Sequence, residues 1–319
     1  MQVGSLLGRI CALCLGLQVL STGSLAGAGD AAFFAFDNGV GREQRWSPAR
    51  QAAVLRELGY SGIGYSGVDD FEERAAAFAA AGLRIYSVYV GLQLDGSPDD
   101  GAAIRAALPL LGAAKSDVWL TLRGRGVDDA AAARAVRDLA DDAAKHGVRI
   151  VLYPHKGFLV ATAEEGLRIV RQVGRPNVGV TFNLAHEIAA GNAARLDAVI
   201  ETCGEHLFLV SINGADPEGG WERVIRPLDE GTVDVRGLVQ RLAQRGYAGP
   251  VGLQCYAIKG DPETLLRRSM AVWRTWSTAP PSRVLSKAKT SPCPHCRAGW
   301  SSGALASAIA IRVPSTWKV

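Results

Sequence analysis

The sequence predicts an α/β fold of the (β/α)8 class: one closed barrel of parallel strands over residues 30–278, with a signal peptide at 1–28 and a basic tail of low order at 279–319. Three observations carry this prediction. Short apolar runs rich in β-branched and aromatic residues recur through the body, each followed by a polar turn and an alanine-rich stretch of helical period. The runs are apolar on both faces, as strands of a parallel sheet covered by helices must be. Eight such units fill about 245 residues, the size of a closed eightfold barrel.

The strands are read at 32–36, 62–65, 83–90, 117–122, 148–153, 177–182, 207–212 and 250–255. Helices are read between and after them at 47–58, 69–81, 99–114, 128–146, 162–173, 193–203, 233–245 and 261–276. Ser47 before Pro48, and Asp261 before Pro262, each place an N-cap residue ahead of a proline at the first helical position. Asp128 and Asp129 open an alanine-rich run that closes on Lys145, His146 and Gly147, so acids meet the positive helix end and bases the negative one. An open doubly wound sheet is the rival. It calls for a glycine-rich phosphate turn after the first strand, and the stretch at 37–42 lacks the third glycine and an immediate helix.

At the start of the chain, Arg9 precedes an apolar run at 10–20 and small residues from Ser24 to Ala28. A run of about 11 residues is too short to span a bilayer core of roughly 30 Å, so a signal cleaved near Ala26 or Ala28 is expected, and with it export to the periplasm or beyond the cell. An uncleaved anchor or a buried first helix is the alternative. Cys11 and Cys14 leave with the signal, and Cys203 and Cys255 are expected as two separate buried thiols, the second inside the last strand. The tail carries Cys293 and Cys296 at metal-ligand spacing, which is half of a closed zinc site.

With 48% apolar and 21% charged residues, the chain is neither disordered nor collagen-like. Its net charge of +4 comes from the two ends. Without Arg9 and the six bases of 281–319, 28 basic side chains face 31 acidic ones, which argues against a nucleic-acid partner.

In such a barrel, residues at the C-terminal ends of the strands converge on one mouth. The mouth is expected to receive Asp37 and Asn38, Tyr65 and Ser66, Tyr89 and Gln93, and Arg123 and Arg125 from the first four strands. Strands five to eight add Tyr153, His155 and Lys156, then Asn183, His186 and Glu187, then Ser211, Asn213 and Asp216, and finally Gln254 and Lys259. Amides, imidazoles and aromatic faces in this density suit a small hydroxyl-rich ligand, a sugar or polyol.

The segments at 146–155, 177–186 and the last strand with 261–269 resemble the xylose isomerase-like TIM barrels, sugar isomerases and epimerases with an endonuclease branch. The resemblance covers roughly residues 32–277. It implies a divalent metal (Mn, Mg or Zn) held by a Glu, an Asp, a His and a Glu on strands five to eight. Those places hold Tyr153, Asn183, Ser211 and Gln254, so tight metal binding is not expected; His186, Asn183 and Gln254 are the candidate ligands if a metal binds.

Two accounts follow. In the first, an isomerase or epimerase transfers a proton next to a carbonyl: His155 or His186 is the base, Lys156 and Tyr153 are electrophilic partners, and Asn38, Tyr65, Arg123, Asn183, Asn213, Asp216, Gln254 and Lys259 bind substrate. In the second, the protein is an exported relative that only binds a sugar. Structural roles compete with each of these: a loop hydrogen bond for His155, a helix cap for His186, a turn for Asp216, and core packing for Trp46, Trp221 and Trp273. The endonuclease branch lacks its His and acid cluster here, a nucleophilic hydrolase lacks its elbow, and Glu187 with Asp216 is a poor glycosidase pair.

Overall fold

A computed structural model describes residues 31–96 and 101–277. The segments expected as a signal peptide and as a tail of low order, and with them the Cys293/Cys296 pair, lie outside the described residues. Eight parallel strands close in sequence order: β1 (Phe33–Phe36), β2 (Gly62–Ser66), β3 (Arg84–Gln93), β4 (Asp117–Arg123), β5 (Ile150–Leu152), β6 (Val178–Asn183), β7 (Leu207–Ile212) and β8 (Val251–Leu253). Pairing of β1 with β8, Phe34 opposite Gly252, shuts the barrel.

The predicted helices form as α1 (Pro48–Leu58), α2 (Phe71–Ala80), α3 (Gly101–Ala114), α4 (Asp129–Ala144) and α5 (Ala163–Val173). The expected caps are present, with Ser47 accepting from the Arg50 N–H and Asp261 from the Thr264 N–H at 2.9 Å; Asp128, expected only as an acid near the helix start, also caps α4 by accepting from the Ala131 N–H at 2.7 Å. Thr162 and Glu165 close a reciprocal capping box on α5. A short helix not foreseen, α6 (Leu184–Ala189), springs directly from β6 and precedes α7 (Leu196–Cys203). After β7 the chain makes a long excursion with α8 (Trp221–Val224), then α9 (Val235–Gln244); α10 (Pro262–Ser277) follows β8.

Alternation along each strand sends one set of side chains into the barrel and the other toward the helices. The interior is an aromatic plug: Phe34 stacks on Tyr86 at 4.8 Å, Phe36 on Trp119 at 4.6 Å, and Tyr153 caps the stack edge-on at 5.2 Å from Trp119. Glycine makes the room. A Cβ at Gly252 would stand 2.7 Å from the Phe34 ring, so the neighbouring strand must be bare there. The helices seal the outer face with a larger cluster of aliphatic side chains.

Cys203 is buried and Cys255 half-buried, and neither forms a disulfide. Cys255 lies two residues past β8 rather than within it. Among the described residues no helix is long and apolar enough to cross a membrane.

Candidate functional site

The aromatic plug fills the barrel up to Tyr153, and a cavity of about 830 Å3 opens above it at the C-terminal ends of the strands. Seven of the residues expected at the mouth line it: Asn38, Ser66, Tyr89, Tyr153, His155, His186 and Gln254. The two imidazoles lie with ring centroids 4.3 Å apart.

One peptide unit's neighbourhood sets both rings. The backbone N–H of Lys156 donates to His186 Nδ1 at 3.1 Å, and the carbonyl of the same residue faces His155 Nδ1 at 3.0 Å. A peptide N–H can only donate and a carbonyl can only accept. Neutral His186 therefore carries its proton on Nε2, and neutral His155 carries its proton on Nδ1, leaving the His155 Nε2 lone pair free. Burial, reinforced by the neighbouring His155, lowers the His186 pKa to about 3. Burial also lowers that of His155, partly offset by the Lys156 carbonyl. Both rings are neutral at physiological pH. Lys156 thus enters the site through its backbone; its side chain is exposed and is not among the cavity's lining residues.

Gln254 anchors a chain of neutral groups across the cavity floor. Its Oε1 accepts from Asn38 Nδ2 at 2.8 Å and from the backbone N–H groups of Cys255 and Tyr256 at 2.9 and 3.0 Å. Its Nε2 donates to the Tyr153 hydroxyl at 3.1 Å. Burial first and Tyr89 second raise the Tyr153 pKa far above the ordinary phenol range, so it stays a neutral hydroxyl. Asn183 is fully buried and its Oδ1 caps α6, accepting the His186 N–H at 3.5 Å.

These residues do not fit a hard divalent cation. The four inward places at the ends of β5 to β8 hold a phenol, two amides and the Ser211 hydroxyl. The Gln254 oxygen already serves three donors, and His186 Nδ1 and Asn183 Oδ1 are each engaged by a backbone N–H. Among the described residues no three His, Cys, Asp or Glu side chains gather as such an ion requires.

Five predicted binding residues stand elsewhere. Tyr65 points outward because alternation along β2 sends Gly64 and Ser66 into the barrel; its hydroxyl donates to Gln51 at 2.6 Å and its ring lies under Arg74. Ser66 takes the cavity position instead. Arg123 lies over the Phe158 ring, 4.3 Å away, and lines a separate shallow pocket with Arg125. Beyond the end of β7 the chain has turned, so Asn213 donates to the carbonyls of Gly214 and Val224 within its own loop. Asp216 is bound to Arg226 at 2.9 Å, Arg223 at 3.1 Å and Thr232 at 3.0 Å, tying down the excursion after β7. Lys259 lines a neighbouring cavity between the β1–α1 and β8–α10 connections.

Glu187 is also turned away. Its carboxylate accepts from the Ala163 N–H at 2.6 Å and from Asn192 at 2.7 Å, and burial pushes its pKa up to about 7. The only carboxylate among the lining residues is that of Glu43.

The sequence reading missed part of the wall. Trp221, read as packing, stands edge-on to His186 at 5.2 Å and remains 39% exposed. Arg42 and Arg45 reach the cavity from the β1–α1 connection, Arg42 held by Ser66 at 3.0 Å beside Asp37. Asp37 accepts from the Ser66 N–H and hydroxyl, which locks the ends of β1 and β2 together. The polar stretch at 37–45 is the available signal for these two arginines; nothing local marks Trp221.

Solved structures share this architecture. The D-allulose 3-epimerase of Methylomonas sp., in complex with D-allulose, aligns with a TM-score of 0.63 at 19% identity over 77% of this chain and 97% of that one. The probable 3-DHS dehydratase of Bacillus anthracis gives 0.63 at 16% identity over 76% and 98%, and the 3-keto-D-glucoside 4-epimerase of E. coli gives 0.62 at 16% over 77% and 99%. At these identities the likeness is one of fold. An uncharacterised protein of Methanocaldococcus jannaschii is 25% identical over 120 residues, a match spanning 37% of this chain and 40% of that protein. Residues 52–276 match the xylose isomerase-like TIM barrel family, and with the eight strands closed in order, the chain belongs to that family.

Proposed function

We propose that this chain is a sugar or polyol isomerase or epimerase that moves a proton next to a carbonyl with side chains in place of a tightly held metal. The observation that carries the proposal is the opposite setting of the two imidazoles by Lys156. His155 Nε2 removes a proton from the carbon beside the carbonyl. The C–H electron pair becomes the enediolate double bond, and the carbonyl π pair moves onto oxygen. His186 Nε2–H donates to that oxygen as a neutral electrophile, and the Tyr153 and Asn38 groups hold adjacent hydroxyls. Return of the proton from His155 to the neighbouring carbon, as the hydroxyl proton on that carbon passes to the former carbonyl oxygen, interconverts the two isomers; return to the opposite face of the same carbon, with the first carbonyl restored, inverts it instead. The solved relatives that act on sugars by epimerisation support the substrate class.

Neutrality of His186 matters to this assignment. A donor that would have to be an imidazolium at pH 7 is excluded by its lowered pKa, whereas a neutral N–H needs no ionisation. The predicted export signal would place the activity outside the cytoplasm.

Binding without turnover is the second reading. It is favoured by the Gln254 amide, whose hydrogen bonds all serve the floor of the cavity itself. Incubation with aldoses, ketoses and inositols in deuterium oxide separates the two. Exchange of the carbon-bound hydrogen that disappears in His155→Gln supports the enzyme; saturable binding with no exchange supports the receptor and overturns the enzyme.

A further inference from the structure

The cavity above the histidines does not end at its own wall. A second lobe of about 400 Å3 adjoins it, and Asn38, Glu43 and Ala257 line both. Its far side is part apolar, with Pro227, Ile258 and Leu265, and part polar, with Gln44 and Lys259. At the junction Tyr256, which lines the first lobe, is 58% exposed, and Ala257 is held at φ 58 in the left-handed region. A mixed wall of this kind suits a sugar ring, whose C–H face packs on apolar carbons while its hydroxyls meet amide, carboxylate and ammonium groups. An aromatic ring left standing in water beside a cavity is ready to cover such a face.

We propose that the substrate is a reducing disaccharide, its carbonyl-bearing unit beside His155 and His186 and its second unit in the lobe between the β1–α1 and β8–α10 connections. This rests on the proton-transfer reading above. In an aldose the reacting carbonyl is the anomeric carbon itself, so the attached unit must leave that carbon free: locking it as a glycoside removes the carbonyl beside which the proton is lost. The ring next to the histidines therefore sits at the reducing end.

The test measures deuterium exchange into glucose, galactose and xylose against cellobiose, lactose, maltose and xylobiose, with methyl cellobioside as the locked control. The expected result is at least a tenfold larger kcat/KM for one of the disaccharides than for its free monosaccharide, and no exchange into the methyl glycoside. Ile258→Trp and Gln44→Trp, which fill the second lobe from two sides, should each cut that ratio severalfold in protein whose unfolding midpoint is that of the parent. Exchange into monosaccharides that equals or exceeds exchange into the disaccharides overturns the second subsite and leaves the proton-transfer reading standing. Exchange into none of these sugars and into no ketose or inositol, with an intact fold, overturns both; exchange confined to ketoses or inositols overturns the disaccharide alone.

Discussion

Replacing His186 by glutamine removes an imidazole whose protonation the fold opposes, and the consequence can be measured without knowing the substrate. In the folded protein burial lowers its pKa from 6.5 to about 3, while in the unfolded chain it titrates normally. Between those values the unfolded state binds a proton that the folded state refuses, so stability rises with pH across the window and falls as pH drops below 6.5. At pH 5 the loss comes to about 2 kcal/mol, and the full gap is about 5 kcal/mol at roughly 1.4 kcal/mol per pH unit. Urea unfolding of the parent and of His186→Gln at pH 7 and pH 5 isolates this contribution, since Glu187 and the other titrating groups are common to both. The parent should lose about 2 kcal/mol more than the variant. Equal losses would mean that His186 titrates as an ordinary imidazole, and its role as a neutral donor fixed by the Lys156 N–H would then be untenable. Nitrogen-15 spectra of the parent add a direct check: His186 should show the Nε2–H form and His155 the Nδ1–H form.

Other outcomes follow from the same geometry. His155→Gln should lower deuterium exchange by about 10²–10⁴-fold, the worth of a positioned general base, and His186→Gln by about 10²–10³-fold, the worth of one donor to the developing oxyanion. Because burial lowers the His155 pKa, the acid limb of kcat/KM should fall below pH 6.5; a limb above that value would assign the base elsewhere. Trp119→Ala, which empties the centre of the aromatic plug, should cost about 3–5 kcal/mol in urea unfolding, and a loss under 1 kcal/mol would show that the plug is not packed as described. Elemental analysis of purified protein should find Mn, Mg and Zn well below one per chain, with no change in melting temperature after chelation; stoichiometric metal would show that amides and phenol suffice as ligands here.

Much of the molecule was legible in order along the chain. The eight strands and the eight helices that follow them are legible to within a few residues, and Ser47 and Asp261 as caps, because period, propensity and capping act between residues close in sequence. The mouth was legible as a set of segments for the same reason. Its membership was less so. The end of β2 alone does not reveal whether Tyr65 or Ser66 turns inward, and the six residues of α6 carry too little periodicity to mark a helix.

The sequence by itself determined that eight apolar strands alternate with helices, and that a phenol and two amides stand at the ends of the fifth, sixth and eighth strands. Only the tertiary structure decided that the Lys156 backbone gives His155 and His186 opposite proton positions, that Asp216 and Glu187 spend their carboxylates on loops, and that Trp221 returns from a distant excursion to meet His186. The reason is range: strand and helix patterns are dictated by neighbours a few residues apart, whereas a hydrogen bond across 30 residues or a ring contact across 35 exists only once the barrel has closed.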